Sequence, residues 1–225
     1  MSDIEQQESS TGILITRVRG YRLFNAIFFA GRRSKLDRAL AREADPRPGD
    51  RVLDIGCGPG NFTSTLGATV GSGGSVVGID PSNPMVEHAT ARSTGNNVHF
   101  ERGAAQELPY ADESFDVVTS TFVMHHIPEA CRGDALAEMY RVLRPGGSLL
   151  LADMFPLDPI RTGLVRALSV ATTHRGRHEG VEESDPFESV DVHRYIAPLE
   201  SAGFEEIRFR PVKPSTGCLL ARKPA

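Results

Sequence analysis

Three glycines, Gly56, Gly58 and Gly60, follow an apolar β-type stretch at 51–55 and lead into a helix-length segment. Such a strand–turn–helix junction lets backbone approach a ligand closely and aims the first helical N–H groups at it. The spacing Gly-Cys-Gly-Pro-Gly differs from the G-x-G-x-x-G of dinucleotide-binding turns, and Asp54 stands just before the first glycine. A carboxylate there gains nothing from a phosphate; it suits a cationic group such as an amine, or a water network holding one. The next apolar stretch ends in Gly78-Ile79-Asp80. An acid about 20 residues beyond a glycine turn hydrogen-bonds ribose hydroxyls in nucleoside-binding sheets, so Asp80 argues for a nucleoside without choosing which. A pair of histidines, His125-His126, follows the fourth apolar stretch, where an acceptor would lie. Histidine is the side chain whose proton moves most readily near neutral pH.

The elements that must carry these residues alternate regularly. β-type runs at 51–55, 75–79, 98–101, 115–119 and 148–152 are separated by helix-length segments at 61–69, 83–92 and 129–143. In the last helix Leu136, Met139, Tyr140 and Leu143 share one face. Strands alternating with helices predict βαβ units and a mainly parallel sheet covered on both sides. A helix over 192–202 should end at Gly203 with a left-handed cap, followed by strands at 204–211 and 217–222 that form a terminal antiparallel pair. The expected fold is therefore α/β: a Rossmann-like, doubly wound, seven-stranded sheet with an antiparallel last strand, helices on both faces and an N-terminal helical lid.

Two regions fall outside that rhythm. Residues 1–45 read as a polar disordered tail plus an amphipathic helical cap, and the domain proper spans 46–225, with an insert at about 156–190 as a substrate lid. Tyr21, Phe24, Phe28 and Phe29 would line an acceptor pocket or pack in a core, and Arg32, Arg33, Lys35 and Arg38 would meet an anion, a membrane surface or only solvent.

Composition narrows the classes. The chain has 225 residues, 40% of them hydrophobic and 24% charged, and a net charge of −4, with a pI of 6.0. This mildly acidic balance lacks the bulk attraction that draws proteins to nucleic-acid backbones, so no nucleic-acid partner is expected. Three widely spaced cysteines show neither metal spacing nor a disulfide framework, which points to the cytoplasm. His174, His178 and His193 fit no standard metal site, so no metal is expected. No stretch approaches the ~20 apolar residues of a membrane span.

The series VLDIGCGPGNFT, GIDPSNPMVEHA, GAAQELPYADESFDVV and MYRVLRPGG with SLLLAD, in this order from about Pro48 to Asp153, resembles the class I S-adenosylmethionine-dependent methyltransferases. It is most similar to their small-molecule and quinone-biosynthesis members, with a fainter echo in LESAGFEEIRF. The resemblance implies S-adenosyl-L-methionine as cofactor. Asp54, Gly56, Gly58 and Gly60 would surround its methionine portion and Asp80 its ribose hydroxyls. Met85 would cover the adenine face, while the Ala105 backbone and the Gln106 side chain meet the adenine edge. Ala104 departs from the family, which often has Asp there, and so implies modest cofactor affinity. In related natural-product O-methyltransferases a His after this strand and a carboxylate after the next form the base, which assigns that role to His125 and Asp153. His126 is expected to pack under the next helix and cap 128–129.

The acceptor implied is a hydrophobic small molecule (a phenol, quinone precursor or lipid-like metabolite), methylated on O or C. An RNA or protein methyltransferase, or a non-catalytic cofactor-binding protein of the same fold, stands as the alternative, and the chain would be a monomer or homodimer.

Overall fold

The structure, a computed structural model, describes residues 32–155, 191–213 and 216–225. The tail, the cap residues before 32 with their four aromatics, the insert at 156–190, His174 and His178 lie outside the described residues.

Seven strands form one sheet in the order β3-β2-β1-β4-β5-β7-β6. They are β1 (Arg51–Ile55), β2 (Ser75–Asp80), β3 (Val98–Arg102), β4 (Phe115–Thr121), β5 (Leu143–Met154), β6 (Glu205–Val212) and β7 (Thr216–Arg222). Strands β1 to β5 pair in parallel, while β7 runs antiparallel to both β5 and β6. The strand order reverses between β1 and β4, the crevice where doubly wound sheets bind ligands.

The helices are α1 (Arg33–Ala44), α2 (Asn61–Val70), α3 (Asn83–Arg92), α4 (Arg132–Val142) and α5 (Ile196–Ser201). Alternate residues of the central strands feed two apolar layers, as their near-continuous Val, Leu and Ile content requires. On one face Leu53, Val118, Leu149 and Leu151 pack with Leu136 and Met139 of α4 and Leu199 of α5. On the other, Val52, Val76, Val117 and Leu150 pack with Leu36 and Leu40 of α1 and Phe62 and Leu66 of α2. The described part of the N-terminal helical region is thus built into the core.

Two helices start later than their periodicity suggests. A 3-10 turn occupies Glu129–Cys131 before α4, and the Arg132 side chain donates back to the carbonyls of Met124 and Ile127, which closes the preceding turn. A second 3-10 turn, Val192–Tyr195, precedes α5; Pro198 has no N–H to continue one α-helical ladder across that junction. The predicted cap is present: Gly203 has φ 98°, and Phe204 N–H donates to Leu199 C=O.

Candidate functional site

The glycine turn, Asp80, the 104–106 segment, His125 and Asp153 all stand at the C-terminal ends of β1 to β5, along one edge of the sheet. Gly56, Gly58 and Gly60 adopt φ of 70°, 52° and 80°, the left-handed conformations that glycine takes without strain. The N–H groups of Gly56 and Cys57 both donate to Ile79 C=O, which ties the turn to β2. Asp80 completes that tie, because Gly58 N–H and Ser82 N–H each donate to one carboxylate oxygen at 2.9 Å. Burial raises the Asp80 carboxyl above its ordinary range, against the lowering effect of those two bonds. Each oxygen keeps a lone pair for a further donor, such as a ribose hydroxyl.

Asp54 lies deeper than its place beside the turn suggests. It is 1% exposed, and its two oxygens accept from Thr63 on α2 at 2.7 Å and Thr119 on β4 at 2.9 Å. It thereby ties the glycine turn's strand to the helix behind it. Burial raises its carboxyl to about 7, and the two threonine hydroxyls only partly oppose that. From the ordinary 3.8 up to about 7, the native state therefore holds a proton that the unfolded chain has released. Stability from this group falls as pH rises through that window. Asp54→Asn keeps the shape and removes the titration. Its stability relative to the parent should increase as pH rises across the window and level off above it, and urea melts at a series of pH values would read this. A flat difference would show that Asp54 stays ionised in the fold.

Apolar surface stands beside Asp80. Met85 on α3 is 2% exposed and Ala105 is 6% exposed, while Gln106 is half-buried. The 104–112 segment is pinned by Arg141 of α4, whose guanidinium donates to the Leu108 and Tyr110 carbonyls and to Glu138 and Asp112. Glu138 in turn accepts from Leu108 N–H at 2.8 Å. A nucleoside with an amino-acid tail suits this arrangement: an anchored acid, an apolar flank and a tight glycine turn that backbone can bring close to a ligand. The residues present can hold S-adenosylmethionine.

Beyond β4 the chain enters a 3-10 turn, Met124–His126. There His125 Nδ1 lies 2.9 and 2.8 Å from the two oxygens of Asp153. Asp153 is fully buried and His125 is 15% exposed. In a neutral ring this contact places the proton on Nδ1 and leaves Nε2 as the acceptor. The neighbouring His126 ring sits 4.0 Å away, and burial, then the His125 charge, lowers it to about 4. His126 therefore stays neutral. It does not cap the following turn: its Nδ1 has no partner and the Glu129–Cys131 turn has no side-chain cap. A capping bond would satisfy that nitrogen, whereas the ring is turned toward His125 instead.

Among the described residues four buried side-chain polar atoms lack a hydrogen-bond partner: Ser120 Oγ, His126 Nδ1, Tyr195 Oη and Thr216 Oγ1. Ser120 is the penultimate residue of β4 and Thr216 pairs with Met154 at the end of β5, so both lie at this same edge. Tyr195 is close enough for the Asp153 charge to bear on it, and burial pushes its phenol up to about 12. The run Thr119-Ser120-Thr121, three hydroxyls inside an apolar strand, is the sequence signal for this feature. Nothing local marks Tyr195. Among the described residues no group of three or more His, Cys, Asp or Glu could hold a metal ion. His193 instead pairs with Asp191 at 2.8 Å and stacks on Phe209. No described helix is long and apolar enough to cross a membrane.

The chain matches the family model of a methyltransferase domain over residues 52–147. It is 34% identical over 153 residues to a demethylmenaquinone methyltransferase of Lactobacillus johnsonii, covering 65% of this chain and 62% of that protein. To a ubiquinone/menaquinone biosynthesis C-methyltransferase of Vibrio campbellii it is 33% identical over 178 residues, covering 72% and 67%. The chain thus spans about two thirds or less of the length of these relatives. A solved S-adenosylmethionine-dependent methyltransferase from Aquifex aeolicus shares the fold, with a TM-score of 0.64 at 22% identity over 83% of this chain and 88% of that one. The motif-bearing edge and these relatives agree: the chain belongs to the class I S-adenosylmethionine-dependent methyltransferases.

Proposed function

We propose that this chain transfers a methyl group from S-adenosylmethionine to a hydrophobic small-molecule acceptor, a phenol, quinone precursor or lipid-like metabolite, with His125 as general base. The observation that carries the reading is the paired contact of His125 Nδ1 with both oxygens of buried Asp153. The quinone-pathway names of the relatives support the acceptor class.

When bound, the cofactor supplies an electrophilic methyl on a sulfonium, a displacement already strongly downhill. The chain's share is alignment and proton removal. Asp80 would hold the ribose hydroxyls, Met85 would cover the adenine face with the Ala105 backbone and the Gln106 side chain at its edge, and Gly56 to Gly60 would receive the methionine end. Asp54 holds that turn in place through Thr63 and Thr119. His125 Nε2 takes the acceptor's proton, and Asp153 stabilises the imidazolium that results. The same base serves either direction of transfer, since ionising a phenolic oxygen raises the nucleophilicity of that oxygen and of the adjacent ring carbon. The reaction takes place in the cytoplasm.

Release of S-adenosylhomocysteine over a panel of phenols and quinone precursors tests the activity, and His125→Ala tests the base. The variant should lose about a hundredfold or more in turnover, the usual share of a general base, with calorimetric affinity for S-adenosylhomocysteine unchanged. Turnover of no panel member would overturn the acceptor class. Full activity of the variant would leave alignment alone as the mechanism.

A further inference from the structure

The N-terminal end of α1 brings a cation to the cofactor edge. Arg33 opens the helix, and its Nε donates to Oδ1 of Asp37 one turn later at 2.8 Å. Asp37 is 2% exposed, so this pairing draws the arginine inward. The guanidinium carbon lies 4.8 Å from the centre of the Phe122 ring, a cation–π contact. Phe122 directly follows β4 and sits in a left-handed bend at φ 62°, with its N–H donating to Ala152 C=O. Its ring joins the Leu36 and Leu40 layer, on the same face as Asp54 and Thr63. The Arg33 charge is felt at Asp54, beneath the glycine turn.

Strand order sets the direction of the cofactor. Asp80 on β2 and the 104–106 segment after β3 lie on one side of β1, and Phe122 after β4 lies on the other. With ribose on Asp80, the adenine face under Met85 and its edge at Ala105 and Gln106, the amino-acid tail runs across the glycine turn toward β4. That tail ends in an ammonium and a carboxylate. The glycine turn and Asp54 supply no cation for the carboxylate.

We propose that Arg33 binds the carboxylate of the cofactor's methionine portion. This rests on the cofactor placement given above. A guanidinium presents five donors in a rigid fork, so a bond to Asp37 is compatible with others. An arginine held by a buried acid and an aromatic ring loses little freedom on gripping an anion. A purely architectural Arg33, serving only to neutralise Asp37, makes a different prediction: its loss would weaken every ligand of the site alike.

Calorimetry with two ligands separates these accounts without any turnover. The probes are S-adenosylhomocysteine and its decarboxylated analogue S-adenosyl-3-thiopropylamine, which keeps the adenosine, sulfur and amine. The unmodified protein should bind S-adenosylhomocysteine about tenfold to a hundredfold more tightly, the range for one charge-assisted bond. Arg33→Met should erase that preference and leave the analogue's affinity unchanged. Arg33→Lys, which keeps a charge beside Asp37 but loses the fork, should reduce the preference severalfold. Equal affinity for the two ligands in the unmodified protein would overturn the proposal even if neither variant folds. Parallel loss of both ligands in Arg33→Met, or a preference unchanged in both variants, would overturn it too. Binding of neither ligand to the unmodified protein would instead sink the cofactor placement itself, and this proposal with it.

Discussion

Replacing Asp153 with asparagine should lower turnover by about a hundredfold or more while leaving affinity for S-adenosylhomocysteine unchanged. The substitution is nearly isosteric, so the fully buried position, opposite Gly217 in the sheet, keeps its packing. Its chemistry does not survive. Both carboxylate oxygens now face His125 Nδ1. An amide nitrogen turned toward that atom would donate to it, shifting the ring proton to Nε2 and removing the base's lone pair. An amide oxygen turned the same way would keep the tautomer but withdraw the negative charge that stabilises the imidazolium. Either orientation impairs proton removal, and neither touches the nucleoside end of the site. Single-turnover rates set beside calorimetric affinities read this directly. A rate within about threefold of the parent, well short of a general base's usual share, would remove the dyad from the mechanism.

Gly56→Ala should be nearly as damaging, by another route. A Cβ at Gly56 would fall 2.1 Å from Val123 Cγ2 and 2.9 Å from Cγ1, and the residue's φ of 70° disfavours any side chain. Val123 immediately precedes the Met124–His126 turn. Pushing it aside displaces His125 from Asp153 while the glycine turn itself distorts. Cofactor affinity and turnover should therefore fall together, each by at least about tenfold. Gly71 offers the comparison: its φ of 67° is also positive, at ψ −173°, but it has open space around it. Alanine there meets only the backbone cost, about 1–3 kcal/mol. If Gly56→Ala lost turnover with cofactor affinity intact, the turn's contact with Val123 would matter more than its contact with ligand.

The strand-and-helix rhythm was readable because the central strands are short apolar runs, all but β4 closed by a glycine or an acid, and these runs became β1 to β5. Asp80 and the glycine turn were readable for the same reason, as strand ends that sit next to each other whenever β1 and β2 pair. The depth of Asp54 was not. Its partners Thr63 and Thr119 come from a helix and a strand 9 and 65 residues away, and only the folded sheet brings both hydroxyls to one carboxylate. Arg33 was hidden among Arg32, Lys35 and Arg38, because a run of like charges on a helix usually marks a solvated face. What separates Arg33 is Asp37 four residues on, whose burial becomes visible only once Leu36 and Leu40 are docked. The late start of α4 escaped notice because its 3-10 turn keeps helical spacing while its first bonds are made by the Arg132 side chain.

The reversed strand β7 also bears on how the chain reaches its folded state. Among the described residues β6 pairs with the sheet only through β7, and β7 docks along β5 from Ser148–Arg222 to Met154–Thr216. Until β7 has emerged, β5 with its Leu149, Leu150 and Leu151 is a bare sheet edge, and β6 has nothing to pair with. A nascent chain halted before β7 therefore displays a long apolar strand with unpaired backbone groups, the kind of edge that recruits other chains. Because the pairing that covers it is distant in sequence, it is also among the slower contacts to form. The strand that seals the sheet beside Asp153 thus sets the interval during which the unfinished protein depends on protection from its own kind.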